Sequence, residues 1–405
     1  MEQTSAETSS IVPQWGKHRY FPEVSERDWN DWRWQFKNHI TTIEELSRYL
    51  RIPSEEWELR KRVLNDFKMA ITPYYFSLIN IDDPDDPILR EIIPLPEEYV
   101  YRNVGFEDPL GEEDHSPVPG LTHRYPDRVL MVVSNVCSNY CRFCTRKRIM
   151  CEQTRSEAEI DRMIDYVAAH PEVRDVIVSG GDPLLMPTAR LERILGRIRA
   201  IRHVEIIRIG TRAPAVIPQR IDQKLCSMLS KFHPIWINVH FEHPRECTPE
   251  AERACDMLSR AGIPLNNQSV LLAGVNDDPA TMKALVHRLL CMRVRPYYLY
   301  QCDPVHGTEH LRAPVSRGIE IIESLRGHTS GLAVPTLVID APGGGGKIPI
   351  GPQYMLAYDR EEGITTLRNY RGETYTYRDG RRNVDSGAPS PNDGFSSVCG
   401  GGGHN

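Results

Sequence analysis

From about Val129 onward, short β-rich apolar runs alternate with longer stretches of helical period. The runs are Val129 to Val133, Val173 to Val178, Val204 to Ile209, Ile235 to Val239, Ser269 to Leu272 and Tyr297 to Tyr300. Each is too short for a helix and is separated from the next by enough chain for a helical crossover, which predicts six parallel strands with right-handed connections. The expected fold class is therefore α/β, an open or partial (β/α)6 barrel, with VPTLVI at 334–339 as one more strand outside the count. Ahead of the barrel the pattern is helical. Ser25 to Asp28 reads as a capping box, and Trp29, Trp32 and Trp34 open amphipathic segments that run to about Asn80. The tryptophans are expected in the core. Asp82 to Pro96, rich in Asp and Pro, reads as a turn-laden connector. The chain thus divides into a loose arm (1–24), a helical region (25–120), the barrel (121–333), a following segment (334–378) and a low-complexity tail (379–405).

Composition narrows the class. With 405 residues, 40% of them hydrophobic, the chain can bury one large domain with terminal extensions. A net charge of −6 carries no nucleic-acid footprint. The N-terminus lacks a basic stretch followed by an apolar one, and no apolar run approaches the ~18 residues of a membrane helix, so a cytoplasmic protein with no membrane partner is expected. Ten scattered cysteines fit a reducing compartment.

Three of those cysteines carry the strongest chemical signal. Cys137, Cys141 and Cys144 stand as C-x3-C-x2-C just after the first strand run, with Phe143 before the third. Neither a zinc pattern with a second Cys/His pair nor a redox C-x-x-C has this form. Three thiolates on three irons of a 4Fe-4S cluster leave the fourth iron open to a small chelating molecule. Six of the other seven cysteines (Cys151, Cys226, Cys247, Cys255, Cys291 and Cys302) read as small buried apolar residues.

The second strong signal is Asp340-Ala-Pro-Gly-Gly-Gly-Gly-Lys347. It fails as a P-loop, because Ala341 replaces the first glycine and Ile348 stands where a Ser or Thr must reach magnesium. Four glycines can instead deliver a lysine amine into a site, where it can form a Schiff base with an aldehyde such as pyridoxal phosphate (PLP). A third candidate is Ser179-Gly180-Gly181-Asp182, glycines that let backbone approach a ligand, and after later strands come Arg212, His240, Gln268 and Tyr300.

These motifs resemble the radical S-adenosylmethionine (SAM) signature, and from about Trp29 to about Tyr375 the chain is similar to the lysine 2,3-aminomutases. The resemblance implies that SAM chelates the open iron, that the Gly-Gly-Asp region (Ser179, Gly180, Gly181, Asp182) holds its methionyl amine, and that His240, Gln268 and Tyr300 lie near SAM or PLP. It implies that Lys347 binds PLP, with Arg124 and Arg128 of LTHRYPDR as phosphate ligands. Arg146 would clamp a substrate α-carboxylate, and Asp303 and Asp340 would receive a distal ammonium. The implied reaction moves the α-amino group of a basic L-amino acid to C3, L-lysine to L-β-lysine, driven by an external one-electron reductant of flavodoxin or ferredoxin type.

Two departures matter. Asp303 is followed by Pro304-Val305-His306-Gly307 where lysine enzymes tend to carry Leu-Ser-x-Gly, so L-arginine stays open as substrate. Asp278 stands in the place of a cysteine found in clostridial-type relatives and the tail offers only Cys399, so no structural zinc is predicted, although a homo-oligomer is still expected. A non-catalytic or electron-transfer iron–sulfur protein would explain the three cysteines but not Lys347, Arg146 or the paired aspartates.

Overall fold

Seven strands run parallel where the sequence pattern predicts six. In the computed structural model, which describes residues 16–150 and 155–380, one nine-stranded sheet follows chain order. Its strands are β1 (Leu121–Tyr125), β2 (Arg128–Ser134), β3 (Asp175–Gly180), β4 (Ile206–Thr211), β5 (Ile235–Val239), β6 (Leu265–Leu271), β7 (Val294–Gln301), β8 (Thr336–Ala341) and β9 (Gly346–Pro349). Strands β2 to β8 are parallel, and β1 and β9 fold back antiparallel on the two edges. The run expected outside the count is β8, which pairs with β7 through Tyr298 to Tyr300.

Six helices make the crossovers: Glu157–Ala169, Thr188–Arg199, Gln223–Leu229, Pro249–Arg260, Pro279–Cys291 and Val315–Leu325. Their starts are written in the sequence. Ser156 and Glu159 form a capping box, and Asp222, Thr248 and Asp278 each accept a hydrogen bond from a first-turn amide. Asp278, noted above for zinc, is thus a helix cap.

Strand alternation separates two environments. In β6, Leu265, Asn267, Ser269 and Leu271 are buried towards the helices, while Gln268 and Val270 face a cavity enclosed by the sheet. In β4, Ile207 and Ile209 are buried and Arg208 faces the same cavity, where it pairs with Asp175 at 2.9 Å. The sheet is a partial barrel with a polar inner wall, and its two edges meet through side chains. The Lys347 amide in β9 donates to the Tyr125 hydroxyl in β1 at 2.9 Å, and Arg124 Nη1 in β1 pairs with Asp340 Oδ1 in β8 at 3.4 Å.

The N-terminal region is a set of short helices from Lys17–Tyr20 to Pro96–Val100, of which only Ser54–Asp66 exceeds two turns. Trp29 is buried and Trp32 and Trp34 pack beside it, as expected of core tryptophans. The expected capping box at Ser25 is half formed: Ser25 Oγ accepts from the Asp28 amide, but its hydroxyl, not its backbone N–H, bonds the Asp28 carboxylate. The connector contains one helix, Pro87–Ile92, capped by Asp86.

The described residues from Gln353 onward make a second compact unit. Its described part is an antiparallel sheet of β10 (Met355–Asp359), β11 (Ile364–Arg368) and β12 (Thr374–Arg378). Residues 1–15 of the expected arm, Cys151, and residues 381–405 of the expected tail, Cys399 among them, lie outside the described residues. Cys226, Cys247, Cys255 and Cys302 are buried, but Cys291, at the end of its helix, is exposed. Among the described residues no helix is long and apolar enough to cross a membrane.

Candidate active site

The three-cysteine loop leaves the end of β2 and is fastened to the N-terminal helical region. The Arg142 guanidinium, fully buried, donates to both oxygens of Glu98 (Nε to Oε1 2.9 Å, Nη2 to Oε2 2.7 Å) and to the carbonyl of Lys68. Backbone bonds from Tyr140 to Ala70 and from Arg142 to Glu91 add to this, and Phe143 packs on Leu272, Val275 and Leu311. Arg212, just after β4, points Nη1 at Cys141 Sγ at 2.7 Å and is itself held by Glu91, Glu246 and Tyr75. Burial pushes the Cys141 thiol up to about 11 and raises Cys144 as well. Bound iron deprotonates a thiol outright, and a guanidinium against the sulfur stabilises the anion.

Among the described residues, no three His, Cys, Asp or Glu side chains converge as ligands of a single ion. A four-iron cluster makes a different demand, one thiolate on each of three irons. Three half-buried thiols on one anchored loop, all lining one cavity, fit that demand.

The glycines of Ser179 to Asp182 line the cavity, as a ligand role requires, and they also meet a packing demand. A Cβ on Gly180 would overlap the Ser134 carbonyl oxygen, and one on Gly181 the Val136 carbonyl oxygen, so both are glycine because the cysteine loop lies against them. The Gly181 and Asp182 amides donate to those same carbonyls at 2.6 and 2.7 Å. Nor is the Asp182 carboxylate free for a ligand. It is buried and accepts from Thr211 Oγ1 and from the amides of Leu184, Arg212 and Ala213. Asp182 is a positioning residue that ties β3 to the start of Arg212.

Asp340 and Lys347 are a cross-strand pair in the β8–β9 hairpin, whose tip is the glycine run. The glycines form a tight turn, with positive φ at Gly343, Gly344 and Gly346, and not a loose tether. Lys347 Nζ lies 2.7 Å from Asp340 Oδ2 and 5.5 Å from the centre of the Tyr300 ring. Arg124 reaches Asp340 and the Leu110 carbonyl, while its Nε is buried without a partner. Arg128 stacks on Tyr125 at 3.9 Å and pairs with Asp127. A lysine side chain in one cavity with two arginines, one with an unsatisfied buried donor, fits the aldehyde and phosphate of PLP.

Arg146 and Asp303 complete the wall. Arg146 Nε and Nη2 bond the Glu112 carboxylate, and Thr145 Oγ1 donates to Asp303 Oδ2 at 2.7 Å. Burial pushes Asp303 up to about 6, Thr145 pulling against it and the Asp340 charge adding to it. His240 is driven down to about 4 by burial and by Arg212, so its imidazole is neutral at pH 7. Gln268 Nε2 donates to Tyr300 OH at 2.9 Å. These mixed donors and acceptors suit the amino-acid, ribose and adenine parts of SAM.

The three loop cysteines, Ser179 to Asp182, Arg124, Arg128, Arg146, Arg212, His240, Gln268, Tyr300, Asp303, Asp340 and Lys347 all line a single cavity of about 670 Å³. Missed were Arg142, Arg212's contact with Cys141, Thr145 and Glu112. The first three sit in or beside recognised motifs, so adjacency was an available signal. Glu112 had none, since it stands in an acidic run with Glu113 and Asp114.

A radical SAM superfamily model matches residues 131–285, and a model described as lysine-2,3-aminomutase matches 322–399. The L-lysine 2,3-aminomutase of Fusobacterium nucleatum is 54% identical over 363 residues, 89% of this chain and 85% of that one. The L-lysine 2,3-aminomutase of Clostridium subterminale is 53% identical over 89% of this chain and 87% of its own. The glutamate 2,3-aminomutase of Clostridioides difficile is 43% identical over 88% of this chain and 84% of its own. Relatives at this identity and coverage, together with an anchored three-cysteine loop facing a hairpin lysine, establish that the chain belongs to the lysine 2,3-aminomutase family of radical SAM isomerases.

Proposed function

We propose that the protein is a PLP-dependent 2,3-aminomutase acting on a basic L-amino acid, converting L-lysine to L-β-lysine. One observation carries the reading: Asp303 and Asp340 line the same cavity as the cysteine loop, Lys347 and Arg146. When bound, the cluster and SAM supply one-electron chemistry for removing an unactivated hydrogen, and PLP supplies the carbonyl that carries the migrating amino group. Lys347 would hold PLP, and Arg124 and Arg128 its phosphate. Arg146 would take the substrate α-carboxylate as a planar fork. The protein's own contribution is to fix these groups relative to one another and keep water out.

The two aspartates favour a distal cation. In their present arrangement the Lys347 amine satisfies Asp340, and an incoming ammonium can take its place. A distal carboxylate would meet two negative groups, which argues against glutamate. Pro304, Val305 and His306, the departure that kept arginine open, do not line the cavity: Pro304 and His306 bond the backbone of Phe106 instead. This supports lysine over arginine.

The test is product analysis after anaerobic reconstitution with iron, sulfide, PLP, SAM and a one-electron reductant, offering L-lysine, L-arginine and L-glutamate in parallel. Conversion of lysine to its β-isomer is the expected result. Arginine alone being converted would keep the mechanism and reassign the pocket, and glutamate turnover would refute the role of the two aspartates.

A further inference from the structure

Glu112 belongs to no motif, yet it is buried at the cavity wall. It lies in an irregular segment between the last N-terminal helix and β1. That segment is held across the site: the Gly343 amide donates to the Pro109 carbonyl at 3.0 Å, and Arg124 donates to the Leu110 carbonyl. Arg148 adds ion pairs to Asp108 at 3.2 Å and to Glu113 at 3.2 Å. Glu112 therefore approaches Arg146 from a fixed backbone.

The way it approaches is informative. A guanidinium offers two bidentate edges, the side edge of Nε and Nη2 and the end edge of Nη1 and Nη2. Glu112 takes the side edge, with Arg146 Nε at 3.1 and 3.0 Å from its two oxygens and Nη2 at 2.6 Å from Oε1. Among the described residues Nη1 has no hydrogen-bond partner. The end edge is left to the cavity. Burial alone would raise Glu112, but Arg146, with Arg148 and Arg124 behind it, together offset this and hold the carboxyl below the usual carboxylate range. Arg148, itself paired with Asp108 and Glu113, also reaches Glu112 Oε2 at 3.6 Å and helps hold that carboxylate in place.

We infer that Glu112 is a positioning residue for substrate recognition: by occupying the side edge of Arg146 it fixes the guanidinium plane and presents the end edge to the α-carboxylate of the amino acid. The inference rests on Arg146 being the carboxylate clamp of the proposed function. It assigns Glu112 no contact with substrate, and it predicts that Glu112 matters only for ligands that carry the carboxylate.

The experiment compares L-lysine with 1,5-diaminopentane, which keeps both amine ends and lacks the carboxylate. Binding to the reconstituted holoenzyme is measured by calorimetry, and KM and kcat for lysine are measured alongside, in wild type, Glu112→Gln, Glu112→Ala and Arg146→Ala. Losing an orienting charge-assisted pair is expected to weaken lysine about 10- to 100-fold, mainly in KM, while the diamine changes less than about twofold. Equal losses for both ligands in the two Glu112 variants would mean a structural role and overturn the inference. So would tighter lysine binding, which would make Glu112 a competitor for the arginine. If Arg146→Ala leaves the lysine-to-diamine ratio at its wild-type value, the clamp itself fails. If that ratio collapses in Arg146→Ala but not in the Glu112 variants, only the present inference fails.

Discussion

Thr145 Oγ1 donates a 2.7 Å hydrogen bond to Asp303 Oδ2, so the residue directly after the third cysteine holds one of the two acids proposed to receive the distal ammonium. The bond stabilises the ionised form of an acid that burial has pushed up to about 6. An ammonium ligand needs Asp303 ionised. KM for lysine is therefore expected to rise as pH falls through about 6, with kcat/KM followed between about pH 5 and 8. Thr145→Val removes the stabilising donor and moves that acid limb to higher pH, with iron content unchanged. A limb at the same pH in both proteins would show that Asp303 does not govern binding.

The same acid makes a prediction about stability. Its folded value, about 6, lies above the roughly 3.9 of an unfolded aspartate, so between these values the folded state holds more protons than the unfolded one. Stability from this group is therefore lost as pH rises through about 4 to 6. At neutral pH the substrate-free protein carries a buried charge without a full partner. Asp303→Asn removes that charge and is expected to raise thermal stability at pH 7 by an amount on the order of 1–3 kcal/mol, with a smaller gain near pH 5. The same variant loses the stabilisation that added lysine gives wild type. Melting curves at both pH values, with and without lysine, check the two signs together.

Lys347 and Asp340 pair across the β8–β9 hairpin, so replacing the lysine alters charge without altering the turn that presents it. Lys347→Ala is expected to abolish the visible absorption band that wild type gains on adding PLP. Arg124 still neutralises Asp340 at 3.4 Å, so the fold and iron loading are retained. Persistence of the band in Lys347→Ala would move the PLP attachment elsewhere.

How much of this was written in the sequence depends on the range of the interaction. The cysteine loop, the Asp340 to Lys347 run and the strand alternation are local, because each function or fold needs given residue types at fixed spacing. They could be read from the chain. The strand runs were placed within a few residues, but the start of β6 was missed because Leu265 is followed by three polar residues: Gln268 lines the polar inner wall, and Asn267 is buried on the other face and bonded to the Phe241 backbone. The seventh strand was seen but left out, since its pairing with β7 is decided by tertiary register and not by its own composition. Glu112 was invisible for the same reason. Its neighbours Glu113 and Asp114 have the same chemistry, and only the path of the backbone across Arg124 and Gly343 selects which acid meets Arg146.

Gly180 and Gly181 offer a test that separates a ligand-binding turn from a packing contact. A glycine needed only for a ligand to approach would tolerate a methyl group in the ligand-free fold. Here the methyl would strike the backbone of the cysteine loop, at Ser134 from Gly180 and at Val136 from Gly181, and Gly180 also has a φ of 136°, which L residues rarely adopt. Gly181→Ala is the cleaner variant, because φ strain does not enter. It is expected to cost about 1–3 kcal/mol of stability through overpacking and to displace Val136 and with it Cys137. Reconstituted iron and sulfide per chain should fall below wild type, while Lys347 still gives its PLP absorption band, since the hairpin is held by Tyr125, Arg124 and Pro109 and not by Val136. Full cluster loading with weakened SAM binding alone would return the glycines to the ligand role that the sequence first suggests.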